Sequence, residues 1–312
     1  GKGYMCKDTK TAYALLNQTG SINFMLIKEV KMSFNDLDLR ELDKDLSPKE
    51  KEEWNDIYSS YRGSSILTKR VSGVDRIKYE ENIVSCLVSI DYRVKVLIPA
   101  GEVWYDKSAQ RPDYVLKSMS GAEIDYVIIG VDRIGECAIA SRRLALESRR
   151  RAFKKQRHDV GDIVPCRMIA SGRSRCIVEV SGYDFTLSQK DMSYCMITDL
   201  RSEFFTGETY KAKIMEYDPA SDHLVISMKE VEPHPYDGVE IRHPINSRRV
   251  SKVTAKFGGN VFCRLDGNLD CLCTYSSQWS DSDFSIGDRV VIAISKFNPV
   301  KKQVFGKVIA KL

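Results

Sequence analysis

Nowhere in the 312 residues does an apolar run approach the roughly 18 that a bilayer-spanning helix needs, and no signal-peptide pattern opens the chain. The motifs that announce common chemistries are missing as well. There is no P-loop, no GxSxG, no HExxH, and no acidic cluster of the kind that holds two Mg²⁺ ions. The expectation is therefore a protein that is not an enzyme and carries no cofactor. The nine cysteines are odd in number and none sits in a CxxC pair. Most lie inside strand-like runs, which reads as reduced, buried thiols in a cytoplasmic protein rather than a disulfide framework. A large excess of either charge is missing too. With a net charge of only +5, a nucleic-acid signal must come from where charge clusters, not from the total.

What the chain has is repetition. Residues 205–227 open on Gly207, alternate apolar and polar residues through Tyr210, Ala212 and Ile214, turn at Asp218-Pro219, and close through Leu224, Val225 and Ile226 on Ser227. Period-two alternation around a turn predicts a hairpin of half-buried strands. The same skeleton recurs upstream (Gly121, Ile124, Val127, Asp132, Ile139, Ser141) and downstream (Gly287, Val290, Ile292, Asn298, Val304, Lys307). The step from Gly to Asp or Asn is 11 positions in all three, and the step from Gly to the last residue is 20. Copies starting 86 and 80 residues apart are too widely spaced for a solenoid, so each predicts one small β domain.

The N-terminal part has no copy. Lys28-Glu29-Val30 back-translates, with suitable codons, to AAGGAGGT, a purine-rich signal that pairs with bacterial ribosomal RNA, a few nucleotides before the Met32 codon. Residues 1–31 thus read either as leader before a start at Met32 or as a flexible tail. Residues 35–56 are acidic. Ser47-Pro48-Lys49-Glu50 then predicts a helix start, with Ser47 capping, Pro48 at the first helical position and Glu50 completing a capping box. Trp54, Ile57, Tyr58 and Tyr61 share one face, Gly63 ends the helix, and the aromatic stripe is expected to dock on the first β domain.

In that first domain, 84–88 and 94–98 read as central strands, with Pro99 ending the second and a polar segment at 102–118 before the repeated hairpin. Three strands, a connection and two more strands is the order of a five-stranded Greek-key OB barrel. The motifs Val160-Gly161-Asp162-Ile163-Val164, Phe205-Thr206-Gly207 and Ile226-Ser227-Met228-Lys229 in the second copy resemble S-one-type domains, the RNA-binding OB module named after the largest protein of the bacterial small ribosomal subunit. Ala140-Ser141-Arg142 ends the first copy in the same style, and Ile286-Gly287-Asp288-Arg289-Val290 opens the last strand pair of the third. The resemblance covers 66–311 and implies base stacking on aromatics of strands two and three, with an acid and a basic residue near the last hairpin. At the second-strand aromatic position stand Leu87, Ile177 and Phe262; at the third-strand position, Pro99, Ser188 and Cys273. The hairpin acid position holds Asp132, Asp218 and Asn298, and the basic position Cys137, His223 and Gln303, with Lys302 beside the last. The third copy, with Lys256, Phe257, Phe262, Arg264 and Lys302, keeps most of the set.

Charge concentrates in the connector 141–158, which holds eight Lys or Arg against one acid and no Gly or Pro. Ser141 caps it as a helix, Leu146 and Phe153 mark an apolar face, and Arg143, Arg150, Lys154 and Arg157 line another. A basic amphipathic helix can lie along phosphates, and the alternative is a solvated spacer. The second connector, 232–248, carries Pro233, Pro235 and Pro244 and is expected to be extended, so that His234, Asp237, Glu240 and His243 share no helix face and hold no metal. Cys263, Cys271 and Cys273 read as strand core rather than zinc ligands.

The expectation is a mainly β protein of three tandem five-stranded OB barrels with a helical N-terminal extension and a basic linker helix. Its segments are 1–31 (leader or tail), 32–65 (acidic helical extension), 66–144 (first barrel), 145–158 (basic helix), 159–231 (second barrel), 232–248 (linker) and 249–312 (third barrel). Its expected partner is RNA, single-stranded or structured, contacted by Arg142, Arg143, Arg149, Arg150, Lys154, Arg157, Arg173, Arg175, Asp218, His223, Lys256, Phe257, Phe262, Arg264, Asn298 and Lys302. The alternatives are a scaffold for a protein partner and an accessory subunit that delivers RNA to an enzyme.

Overall fold

The repeated hairpin sets the architecture. A computed structural model describes residues 45–79, 82–106, 111–133 and 135–312, and the leader or tail reading of 1–31 lies outside them. Helix α1 (Pro48–Gly63) begins at the predicted capping box, in which Ser47 and Glu50 satisfy each other's backbone N–H, and it ends at Ser64 in the left-handed region. Barrel 1 follows: β1 (Leu67–Arg70), β2 (Gly73–Tyr79), β3 (Asn82–Ile90), β4 (Lys95–Pro99), the short helix α2 (Asp113–Ser118), β5 (Glu123–Asp132) and β6 (Cys137–Ser141). Its sheet order is β1-β5-β6-β4-β3-β2. Strands β1 and β2 are two halves of one kinked strand. At the kink Val71 donates to Ala122 O (2.8 Å) and Ser72 to Val88 O (2.7 Å), which draws the sheet's two ends together.

Helix α3 (Arg142–Lys155) leads into barrel 2, made of β7 (Ile163–Ser171), β8 (Arg175–Val180), β9 (Tyr183–Ser188), the one-turn helix α4 (Gln189–Met192), β10 (Thr209–Asp218) and β11 (His223–Ser227). Barrel 3 comprises β12 (Arg248–Phe257), β13 (Asn260–Leu265), β14 (Leu269–Thr274), β15 (Arg289–Asn298) and β16 (Gln303–Lys311), closed in the order β12-β13-β14-β16-β15. The linker before it is less extended than its prolines predict. Four residues, α5 (Val239–Arg242), fit one helical turn between Pro235 and Pro244.

The three repeat copies are the hairpins β5–β6, β10–β11 and β15–β16. Gly121, Gly207 and Gly287 all have φ between 86° and 102°, where a side chain is strained. Each long strand then carries an irregularity at the same distance from its glycine, between Ile128 and Gly130, Ile214 and Glu216, and Ile294 and Lys296. Bulges bend a strand sharply, which is how a small barrel turns its corner. The period read in the sequence is the period of this bend.

Alternation fills the interiors. In β13 Val261, Cys263 and Leu265 face in and Phe262 and Arg264 face out; in β14 Cys271 and Cys273 face in. Two assignments made from the resemblance are corrected by strand phase. Leu87 and Cys273 lie in the interiors of barrels 1 and 3, both fully buried, so neither is on a binding face. A one-residue phase difference turns a side chain to the other side of the sheet.

Helix α1 docks on barrel 1 through Trp54 and Ile57, each 3% exposed, with Tyr58 and Tyr61 packed beside them. Burying Trp54 and Ile57 supplies about 2–3 kcal/mol each. The polar side of the contact is equally fitted. Glu53 accepts the backbone N–H groups of Tyr92, Arg93 and Val94 at 3.0–3.2 Å, and Ser60 Oγ accepts from Ile128 N at 3.0 Å.

Candidate nucleic-acid interface

In barrel 2 the outer face of β7, β8 and β9 is covered. Ile169, Ala170 and Ile177 join the apolar cluster that contains Met119, Ala122 and Ile124 of barrel 1. Arg167, outward on β7, donates to both carboxylate oxygens of Asp125 on β5 (2.9 Å each) and to Glu179 on β8 (2.7 Å). Asp184 on β9 takes a bidentate pair from Arg142 at 2.7 and 2.8 Å. Burial alone would raise the Asp125 pKa. Arg167, together with Arg149 and Thr68, overcomes that and holds the carboxyl at about 2. The face that the resemblance assigns to bases in this barrel is a domain junction.

The basic helix belongs to the same junction. Ser141 caps α3 as expected, and Leu146 and Phe153 are buried. The row of cations expected to face phosphates faces carboxylates instead. Arg142 is 1% exposed and pairs with Asp184; Arg143 reaches Glu102 at 3.1 Å; Arg149 reaches Asp125 at 2.7 Å; Arg150 and Lys154 meet Asp222 at 3.1 and 2.7 Å. Arg150 is also sandwiched between the rings of Tyr105 and Tyr183, with centroids 3.6 and 4.3 Å away. Arg157 alone of the predicted row projects into solvent, 3.4 Å from Asp159. The acids that neutralise the helix lie 24 to 72 positions from their partners in sequence, on both barrels. Counting charges within the connector could not find them.

Barrel 3 leaves the corresponding face open. Cross-strand partners line up Phe262 on β13 with Leu272 on β14, Leu272 with Phe305 on β16, and Phe305 with Lys296 on β15. Phe262, Leu272 and Phe305 are half-buried, and Lys296 Nζ lies 4.9 Å from the Phe305 ring centroid. Phe257, 77% exposed, pairs with Asn260 and so shares the face of Phe262. Lys252 and Lys307 flank the row, exposed and without an ion pair among the described residues. Beside Lys252, Thr254 and Arg264 a cleft of about 450 Å³ opens, closed on its far side by Met196, Thr198, Ser202 and Glu203 of barrel 2. Aromatic rings with cations between them can stack bases and neutralise phosphates together.

Of the remaining predicted residues, Phe257 and Phe262 therefore sit in this row. Arg264 shares their face but is held by Glu203 (3.0 Å), Met196 O (2.7 Å) and Asp270 (3.5 Å), where it fastens barrel 3 to barrel 2. Lys256 turns to the carbonyls of Asp281 (2.9 Å) and Phe284 (2.8 Å) at the barrel mouth. Asp218 and Asn298 are turn residues: Asp218 accepts from Ala220 N and Ser221 Oγ, and Asn298 from Lys301 N. His223 lies 3.1 Å from Glu216, and Lys302 lies 3.4 Å from Asp237. Arg173 and Arg175 are exposed at the β7–β8 turn, away from the Phe262 row. Sequence reading missed Phe305, Leu272 and Lys296. The signal was present for Phe305, which alternates with the buried Val304, Gly306 and Val308.

Three five-stranded barrels in OB order, one with an open aromatic face, define a tandem OB-barrel protein. No family model matches the chain. Its curated relatives include small ribosomal subunit protein bS1 of Chlamydia muridarum, 26% identical over 273 residues, which span 83% of this chain and 45% of that protein. The bS1 protein of Coxiella burnetii is 20% identical over 80% of this chain and 45% of its own length. A 4-hydroxy-3-methylbut-2-enyl diphosphate reductase of Clostridium acetobutylicum is 21% identical over 62% of this chain and 30% of the reductase. A solved multidomain protein with nucleic acid binding domains from Streptococcus pneumoniae aligns over 79% of the chain at 10% identity with a TM-score of 0.20. The likeness to bS1 proteins over most of the chain supports S-one-type domains here, and the chain spans about half the length of those relatives.

Proposed function

We propose that this chain binds RNA, as a single strand, on the outer face of barrel 3, and that barrels 1 and 2 with α3 form the rigid body that presents it. The observation that carries this reading is the in-register row Phe262–Leu272–Phe305–Lys296, left open while the same face of barrel 2 is buried. The likeness to ribosomal bS1 proteins supports RNA as the ligand class. No catalytic step is part of the reading. Its setting is the cytoplasm, where the eight described cysteines, all unpaired, stay reduced.

Titration of the protein with a labelled single-stranded RNA, followed by fluorescence anisotropy, tests the reading. Phe262→Ala and Phe305→Ala each weaken binding by about 1–3 kcal/mol, because each removes one stacking surface. Neither side chain fills a barrel interior, so the unfolding of barrel 3 stays cooperative. Absence of RNA binding at near-physiological salt overturns the proposal. The reading that then remains is a scaffold for a protein partner, which the eroded aromatics and the neutralised helix also fit.

A further inference from the structure

The cleft of about 450 Å³ beside the Phe262 row has a far wall built by barrel 2, and that wall leads to uncommitted positive charge. Thr198 and Ser202 line it, and Leu200 between them donates its backbone N–H to Arg173 O at 3.0 Å. Gly172 N–H closes the turn on Arg175 O, also at 3.0 Å. Arg173 and Arg175 thus sit on a tight turn fastened directly behind the cleft. Both are exposed, and neither side chain has an ion pair or hydrogen bond among the described residues. Across the cleft stands Lys252, equally free. We infer that an RNA strand lying on the Phe262 row continues across this cleft and sets its next phosphates on Arg173 and Arg175. Its footprint then spans barrels 2 and 3.

The charge balance along that path favours a polyanion. Glu203 is held by Arg264 at 3.0 Å, and Asp199 by Arg201 through two bonds of 2.6 and 2.9 Å. The Arg201 guanidinium holds the Asp199 carboxyl at about 2, and Arg173 nearby pulls it in the same direction. Asp266 is then the one carboxylate of the cleft without a partner among the described residues, against three such cations. The cleft itself suits the uncharged part of the strand. Met196 from barrel 2 and Ile286 from barrel 3, 43% and 60% exposed, put apolar surface on opposite walls. Arg264 on Met196 O (2.7 Å) and Met196 N on Asp270 hold those walls in register. Lys252 and the arginine turn are therefore positioned before any RNA arrives, which lowers the cost of binding.

The inference rests on the RNA-binding reading, and two RNA lengths separate them. Anisotropy titrations over a range of salt use labelled single strands of about 5 and about 25 nucleotides, since one OB barrel covers about 4–16. The short RNA can occupy barrel 3 alone, and the long one can cross the cleft. On the long RNA, Arg173→Gln with Arg175→Gln lowers the salt slope by about 1.4, the loss of two phosphate contacts. On the short RNA this double variant matches the parent protein. Arg173→Lys with Arg175→Lys keeps both charges and keeps the slope. Both positions are exposed on a turn closed by backbone, so folding is untouched. Arg151→Gln with Lys155→Gln, exposed on α3, controls for net charge and leaves the slope within about 0.5. If Phe262→Ala weakens binding of both RNAs while Arg173→Gln with Arg175→Gln matches the parent on the long one, the inference is overturned and the proposed function stands. An equal loss of slope on the short RNA, or in the α3 control, also overturns it, because the effect then belongs to the first site or to net charge. If the parent protein binds no RNA, the proposed function falls and the inference falls with it.

Discussion

Asp125 shows how much one side chain can hold. It is fully buried on β5, yet three donors from barrel 1, α3 and barrel 2 converge on it: Thr68 at 2.7 Å, Arg149 at 2.7 Å and Arg167 at 2.9 Å. Its carboxyl, held at about 2, lies below the unfolded value of about 3.9. A depressed folded pKa contributes stability that is complete above the unfolded value and is lost as pH falls through the folded one. Between about pH 4 and pH 2 this site should therefore give up about 2 kcal/mol. Asp125→Asn should cost about 3 kcal/mol at neutral pH, since, among the described residues, Arg149 loses its only carboxylate and Arg167 keeps only Glu179. Urea unfolding of both forms from pH 7 to pH 2 checks this: the curves should converge on acidification. Gly207 sets a second residue-scale limit. With φ at +89° and an added Cβ driven into the Gly121 carbonyl across the junction, Gly207→Ala should cost more than about 1 kcal/mol in the same assay.

Helix α3 is the element whose role differs most from its composition. Eight cations in 18 residues predict a phosphate-binding surface, but the helix lies between two barrels whose surfaces supply the missing acids. Replacing Arg143, Arg150, Lys154 and Arg157 with Gln leaves helix propensity almost unchanged. The expected effect is a melting temperature lower by several degrees, because Glu102 and Asp222 lose partners at partly buried positions. The dependence of log RNA affinity on log salt should change by less than about one unit. A slope flatter by 2–3 units would show the helix touching phosphates after all. Strand β13 is the opposite case. Its role follows from local alternation: Val261, Cys263 and Leu265 face in, and Phe262 and Arg264 face out.

At the scale of the molecule the two junctions differ in kind. Barrels 1 and 2 share an apolar cluster, the α3 ion pairs and the Asp125–Arg167–Glu179 network. Barrels 2 and 3 meet through Arg264 on Glu203 and Met196 O, Cys195 Sγ on Asn268 O, and Met196 N on Asp270. Scanning calorimetry should therefore resolve two transitions, one for α1 through barrel 2 and one for barrel 3. A fragment of residues 159–231 alone should be less stable than the same barrel in the whole chain. It would expose Ile169 and Ile177, which the first barrel covers at 0% and 8% exposure. A single transition would mean that the second junction is as strong as the first.

The sequence by itself determined the periodic features: the capping box at Ser47, the three hairpins, and the glycine that opens each, whereas the bend each long strand carries appeared only in the strand registers. These are local, because φ angles, strand phase and caps depend on a residue and its near neighbours. Alignment to the family pattern misplaced Leu87 and Cys273, which are buried, whereas the reading of Cys273 as a strand-core cysteine agrees with the structure. Only the tertiary structure decided which barrel face is open and which cations are free. Asp125, Asp184 and Asp222 neutralise Arg149, Arg142 and Arg150 from 24 to 72 positions away. The Phe262–Leu272–Phe305 row joins three strands into one surface. Electrostatic pairing and burial act through space, so their partners are set by how the chain packs and not by its local order.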